Sequence, residues 1–144
     1  RTFKEVAISE EVKKVVVDEG KRLHKSDALL VEKAIEAGWI KVKKAVSLAG
    51  IQWDIEKGEK SVIALAKETG TKEVLIDEAS ARTAAKLSGL IPRGTVFVLL
   101  KALKMKEITF GEFLKCLEEL VKKGFRLSEE IYIKAVEEAR KISS

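Results

Sequence analysis

Thr71-Lys72-Glu73-Val74-Leu75-Ile76-Asp77-Glu78-Ala79-Ser80-Ala81-Arg82 is the most informative segment of this chain. A short β-type run, Glu73 to Ile76, apolar from Val74 on, stops at two carboxylates and passes directly into a helical pattern that ends before Gly89. A run too short for a helix and flanked by helical segments on both sides is how a strand of a parallel sheet reads. The segment before it, Lys57 to Thr69, is also helix-patterned and is closed by Gly70; the one after it spans Glu78 to Ser88. Two further β-type runs lie upstream, Val6-Ala7-Ile8 and Trp39-Ile40-Lys41-Val42. Strands separated by helices pair in parallel through right-handed crossovers, which predicts an α/β domain of three layers, α/β/α, around a central parallel sheet. Ligands bind such sheets at the carboxyl ends of the strands. Asp77 marks that edge.

Glycine punctuates the rest. Five of the nine glycines, Gly20, Gly38, Gly70, Gly89 and Gly124, follow periodic apolar segments, where a left-handed residue closes a helix. Counting back from them predicts helices over Ser9 to Glu19, Asp27 to Ala37, Lys57 to Thr69, Glu78 to Ser88 and Thr109 to Lys123. Thr95 to Lys104 and Ser128 to Ile142 show the same periodicity. Ser9 and Ser128 each precede two glutamates, and Thr109-Phe110-Gly111-Glu112 spells a capping box. Cys116 falls near the apolar face of its helix and is expected to be inert core. Trp39 is expected to pack in the sheet. Lys43 to Glu56 is the least regular stretch, and its Trp53 either fills a gap beneath the loop or stacks on a base.

Composition removes several chemistries. A chain of 144 residues makes one domain, residues 1 to 144. Its apolar runs, among them Val96 to Leu100, are far short of the roughly 20 residues of a membrane helix, so a soluble, cytoplasmic protein is expected. One cysteine excludes an internal disulfide, and one histidine beside it excludes the usual four-ligand zinc site. The same scarcity leaves little room for a Ser-His-Asp arrangement, so hydrolysis here has to run on carboxylates and a hard cation. Twenty-eight Lys and Arg against 23 Asp and Glu give a net charge of +5 with interspersed signs, which fits a salt-bridged surface as readily as an anionic partner. Richness in Lys and Glu also fits a heat-adapted protein.

Asp77 and Glu78 leave the strand together and suit Mg²⁺ or Mn²⁺, which take oxygen ligands and keep several waters. The same residues also suit a helix N-terminus, as cap and first-turn acid. Glu59, in the first turn of the preceding helix, either reaches the same edge or faces water. Gly94-Thr95 opens a helix whose N-H groups and hydroxyl suit a phosphate or simply cap it. Arg82, Lys57, Lys60 and Arg93 surround this edge with positive charge fit for a nucleic-acid backbone.

Taken in order, Gly58-Glu59-Lys60-Ser61-Val62-Ile63-Ala64-Leu65-Ala66, Leu75-Ile76-Asp77-Glu78-Ala79-Ser80-Ala81-Arg82, Gly94-Thr95 with Leu99-Leu100, and Lys123-Gly124-Phe125-Arg126-Leu127-Ser128 with Tyr132 resemble the prokaryotic PIN-domain proteins. Glu36-Ala37-Gly38-Trp39-Ile40 extends the likeness over nearly the whole chain. The closest branch is that of predicted nucleic-acid-binding proteins containing a PIN domain. The resemblance implies a Mg²⁺- or Mn²⁺-dependent ribonuclease of the toxin-antitoxin type, acting on single-stranded RNA. It assigns Asp77, Glu78 and Glu59 to the metal and Thr95 to the hydroxyl that supports the site, and it allows an antitoxin protein as partner. The sequence departs from the family at three places. The family's first strand, ending in an acid, would lie before Arg1; Lys14 stands where a second acid is expected; Ser61 stands where a third is. The alternative that follows is a catalytically degenerate module that binds nucleic acid or protein. A missing strand would also leave an edge that pairs with another chain, which predicts a homodimer.

Overall fold

The structure is a computed structural model and describes residues 3–45 and 55–144. Trp53 lies outside the described residues. Two compact units are present, Phe3–Arg93 and a helical one beginning at Gly94 and ending at Ser144.

The first unit is mixed α/β with parallel strands, as the alternation of elements predicts. Strand β1 (Val6–Ser9) leads into α1 (Glu10–Lys13), a π-helical stretch (Lys14–Glu19) and α2 (Gly20–Arg22). Helix α3 (Ser26–Glu36) returns to β2 (Ile40–Lys43), which pairs in parallel with β1, Val6 opposite Ile40 and Ser9 opposite Lys43. After α4 (Lys57–Thr69) come β3 (Glu73–Leu75), α5 (Ala79–Leu87) and β4 (Ile91–Arg93). Strands β3 and β4 form a second two-stranded parallel ladder, Glu73 opposite Ile91 and Leu75 opposite Arg93. Helix α4 packs against both β1 and β3. The core of this unit joins Ile63 and Ala66 of α4 to Val74, Ile76, Ala81, Ala84, Ala85 and Leu90. The small alanines let α5 sit close to the sheet.

Strand β3 differs from the expected fully buried strand. Val74 is buried but Leu75 is 48% exposed, so one face of the β3–β4 ladder is uncovered. Strand β4 is absent from the sequence prediction because Pro92 argues against a strand. It is tolerated because the flanking residues carry the ladder: the Ile91 N-H donates to Lys72 O at 2.8 Å and Arg93 O accepts from Ile76 N at 2.8 Å. The missing proline N-H points away from β3. Trp39 stands just before β2 and is 56% exposed, so it does not pack in the sheet as expected. Its N-H donates to Ala34 O at 2.9 Å in the turn that closes α3.

Helix ends follow one device. Gly38, Gly70, Gly89 and Gly124 have positive φ, as predicted, and the next residue donates back across the turn, as in Thr71 N to Ala66 O at 2.9 Å. Gly20 corrects the pattern. It has helical φ and ψ of −60° and −41°, and the chain runs on to Arg22 before His24 takes the left-handed role with a φ of 57°. What Gly20 supplies is space: a Cβ there would stand 2.8 Å from the Cβ of Ala28, where α3 crosses. Lys21 and Glu32 clasp the same crossing at 2.9 Å, and the neighbouring carboxylate raises the Lys21 pKa above its ordinary value. The π-helical stretch contains Val15, Val16 and Val17, whose branched side chains crowd an α-helix, and only Val17 is buried.

The second unit holds α6 (Thr95–Lys104), α7 (Phe110–Lys122) and α8 (Glu129–Ser143) around Leu103, Phe113, Leu117, Ala135 and Ala139. The capping box is complete: Thr109 Oγ1 accepts from Glu112 N at 3.1 Å, and the Glu112 carboxylate accepts from Thr109 N at 3.0 Å. Ser128 caps α8 through Ile131 N. Cys116 is half-buried on α7. Among the described residues no helix is long and apolar enough to cross a membrane.

Candidate functional site

The carboxyl end of β3 and the first turn of α4 meet at an open concavity of about 500 Å³ lined by Ile55, Glu56, Glu59, Glu78 and Ser80. Each acid arrives there for a local reason. The β3 ladder stops after Ile76, and the chain turns through Asp77 into Glu78, the N-cap residue of α5. Glu78 has extended backbone, and its side chain makes no capping bond. Its carboxylate is therefore not spent on the helix, which was the alternative use of an acid at this position. Glu59 lies in the first turn of α4, and Glu56, three residues earlier, is that helix's N-cap residue, again without a side-chain capping bond. A spacing of three residues brings two side chains onto one face of a helix.

Glu59 is the electrostatic centre. The residue as a whole is partly buried, but its Oε2 is shielded from solvent and has no hydrogen-bond partner. Burial raises the Glu59 pKa above its ordinary 4.5, and the charges of Glu78 and then Glu56 raise it further. The expectation that Glu59 simply faces water does not hold. An acceptor left shielded and unbonded costs about 1–3 kcal/mol, so this oxygen is poised for a donor or a cation.

Of the sequence-predicted residues, Glu59 and Glu78 are brought together here. Asp77, one residue before Glu78, is exposed and does not line the concavity. Arg82 is one turn into α5, and its Nη1 donates to Ile76 O at 3.1 Å, which fixes the guanidinium at the end of β3. Arg93 forms an ion pair with Glu73 at 3.4 Å within the β3–β4 ladder. Lys57 is exposed and Lys60 half-buried on the first turn of α4. Thr95 is the first residue of α6, in the helical unit, and is half-buried behind the extended Gly94. Lys14 is exposed at the start of the π-helical stretch. Ser61 is fully buried and hydrogen-bonded to Ser9 Oγ at 2.6 Å and to Gly58 O.

Sequence reasoning missed Glu56 and Ser80. The available signal for Glu56 was its position three residues before Glu59; Ser80 carries none. Among the described residues no three His, Cys, Asp or Glu side chains are gathered so as to hold a metal ion by themselves.

A family model described as a PIN domain matches residues 1–141. No curated protein and no solved structure gives a significant match.

Proposed function

This chain belongs to the PIN-domain family, and from that membership we propose that the Glu56, Glu59 and Glu78 concavity is a divalent-metal-assisted ribonuclease centre acting on single-stranded RNA. The observation that carries the proposal is the shielded, unbonded Oε2 of Glu59 beside the uncommitted carboxylate of Glu78. Two carboxylates are a sparse donor set, yet they suit Mg²⁺ or Mn²⁺, which take one or two protein carboxylates and complete their shell with water and substrate phosphate. Glu59 and Glu78 would hold the ion, with Glu56 and Asp77 adding negative charge nearby. The bound ion would supply a water activated for attack on phosphorus and would neutralise charge on the phosphodiester.

The chain's own groups do the rest. Without an ion, burial and the charges of Glu78 and Glu56 raise the Glu59 pKa; a bound cation would relieve that repulsion and favour its ionised form. Arg82, held by Ile76 O, offers a fixed cation at the end of β3, while Lys57, Lys60 and Arg93 carry charge for neighbouring phosphates. A cytoplasmic protein, a homodimer and an antitoxin partner complete this proposal.

The second reading is a degenerate module that binds nucleic acid without cutting it. Ser61 favours it: a buried, fully bonded hydroxyl at this position cannot contribute charge to a metal. Cleavage of single-stranded RNA with Mn²⁺ separates the two. Glu59→Gln combined with Glu78→Gln is expected to lose about 100-fold or more of the wild-type rate, and Asp77→Asn to lose less. Equal rates from wild type and the double variant would assign the activity to a contaminant. RNA binding without any metal-dependent cleavage would establish the second reading instead.

A further inference from the structure

We propose that Ser9 and Ser61 form a positioning pair that aims Glu59, an inference that rests on the reading of Glu59 as a metal-holding acid. Both serines are fully buried, 52 residues apart in sequence, and their hydroxyls meet at 2.6 Å. The direction of each bond follows from elementary bookkeeping. A carbonyl has no proton to give, so Ser61 Oγ must donate to Gly58 O. Ser61 has only one hydroxyl proton, so the bond between the serines is donated by Ser9. The Ser9 oxygen in turn accepts from Val12 N at 3.1 Å. One directed chain therefore runs from the start of α1, through the end of β1, to the first turn of α4, with each hydroxyl both donating and accepting. Such chains are reinforced by mutual polarisation.

The target of that chain is what gives it a role. Gly58 O and Glu59 N belong to a single planar peptide unit. Fixing the carbonyl fixes the plane and the position of the Glu59 Cα, and the helical φ of α4 then sets the direction in which the Glu59 side chain leaves the backbone. Next to that plane stands the carboxylate whose Oε2 is shielded and whose neighbours are Glu56 and Glu78. Without the chain, the first turn of α4 has no side-chain cap to hold it, because Glu56 makes no capping bond. Ser61 thus acts on the site through the backbone: it is a positioning residue that touches neither ion nor substrate.

The test is amide hydrogen exchange at the first turn of α4, combined with Mn²⁺ affinity by calorimetry. Ser61→Ala leaves the Ser9 cap on α1 in place, and is expected to speed exchange about 10-fold at Lys60, whose N-H donates to Glu56 O, while leaving α7 unchanged. It is also expected to weaken Mn²⁺ binding about 5-fold. Ser9→Ala, which leaves the Ser61 bond to Gly58 O but removes the hydroxyl that orients Ser61, should produce the same two effects in smaller measure, and Ser9→Thr, which keeps the hydroxyl, should restore both. Unchanged exchange at Lys60, or equal acceleration in every helix, would overturn the proposal. Wild-type protein that binds no Mn²⁺ would refute the metal reading, while the exchange result would still decide whether the pair holds the turn. Lost Mn²⁺ affinity with unchanged exchange would overturn the pair's positioning role and leave the metal reading standing.

Discussion

Glu59 is stable in this fold only at a cost, and the sign of that cost is measurable. A carboxyl whose pKa is higher folded than unfolded favours the folded state when protonated. That contribution is complete below the ordinary value of 4.5 and is lost as pH rises through the raised value. Glu59→Gln is therefore expected to be more stable than wild type at pH 7, by a few tenths of a kcal/mol, because solvent screens a carboxyl that is only partly buried, with the gap closing as pH falls toward 4.5. Urea midpoints for both proteins between pH 4 and 7 check this, and a gap independent of pH would show that the carboxylate is not strained by its surroundings. Two glycines make a second contrast. Gly20→Ala meets the Ala28 Cβ at 2.8 Å, and overpacking of that kind, at about 1–3 kcal/mol, outweighs the gain in helix propensity of about 1 kcal/mol. A Cβ on Gly111 meets only Thr109 Oγ1, at 3.9 Å, so Gly111→Ala is expected to stabilise by about 0.5–1 kcal/mol. Thermal denaturation of the two variants should move in opposite directions.

The helix starts carry their own prediction: removing the Thr109 hydroxyl orphans the Glu112 N-H, so Thr109→Ala is expected to cost about 1 kcal/mol by urea denaturation. That cap was legible because its chemistry is local. Four of the glycine helix ends were legible for the same reason, since a left-handed residue is cheap only for glycine. Gly20 looks no different in sequence, but its role depends on where α3 crosses, which periodicity does not encode. His24 and Lys106 adopt φ near 60° without glycine's freedom, so nothing local announced them. Strand β4 was hidden by Pro92, because only the pairing register shows that the absent N-H is not needed. At the candidate site, Glu59 and Glu78 could be named from the order of motifs. The shielding of one Glu59 oxygen could not, because it arises from how α4 and α5 meet at the end of β3.

The proposed association between copies would run through backbone edges. Among the described residues β1 and β3 each pair with one strand only, and α4 lies against both, so each keeps an edge able to accept another strand. Light scattering is expected to give about twice the chain mass of 16.0 kDa, and a monomer across the micromolar range would refute the homodimer. The outer edge of β4 behaves differently, and Pro92 is the reason. Alternate residues of a strand point their N-H groups to opposite sides, and within β4 the one residue facing away from β3 is Pro92, with Leu90 just before the strand on the same side. The Leu90 N-H is already given to Ala85 O at 2.9 Å, and Pro92 has none to give. An incoming strand would find no donor within β4 itself. The residue that hid β4 from the sequence thus acts as a terminator: it closes one side of the ladder to open-ended stacking, so recruitment through this ladder is confined to the β3 side, next to the acids.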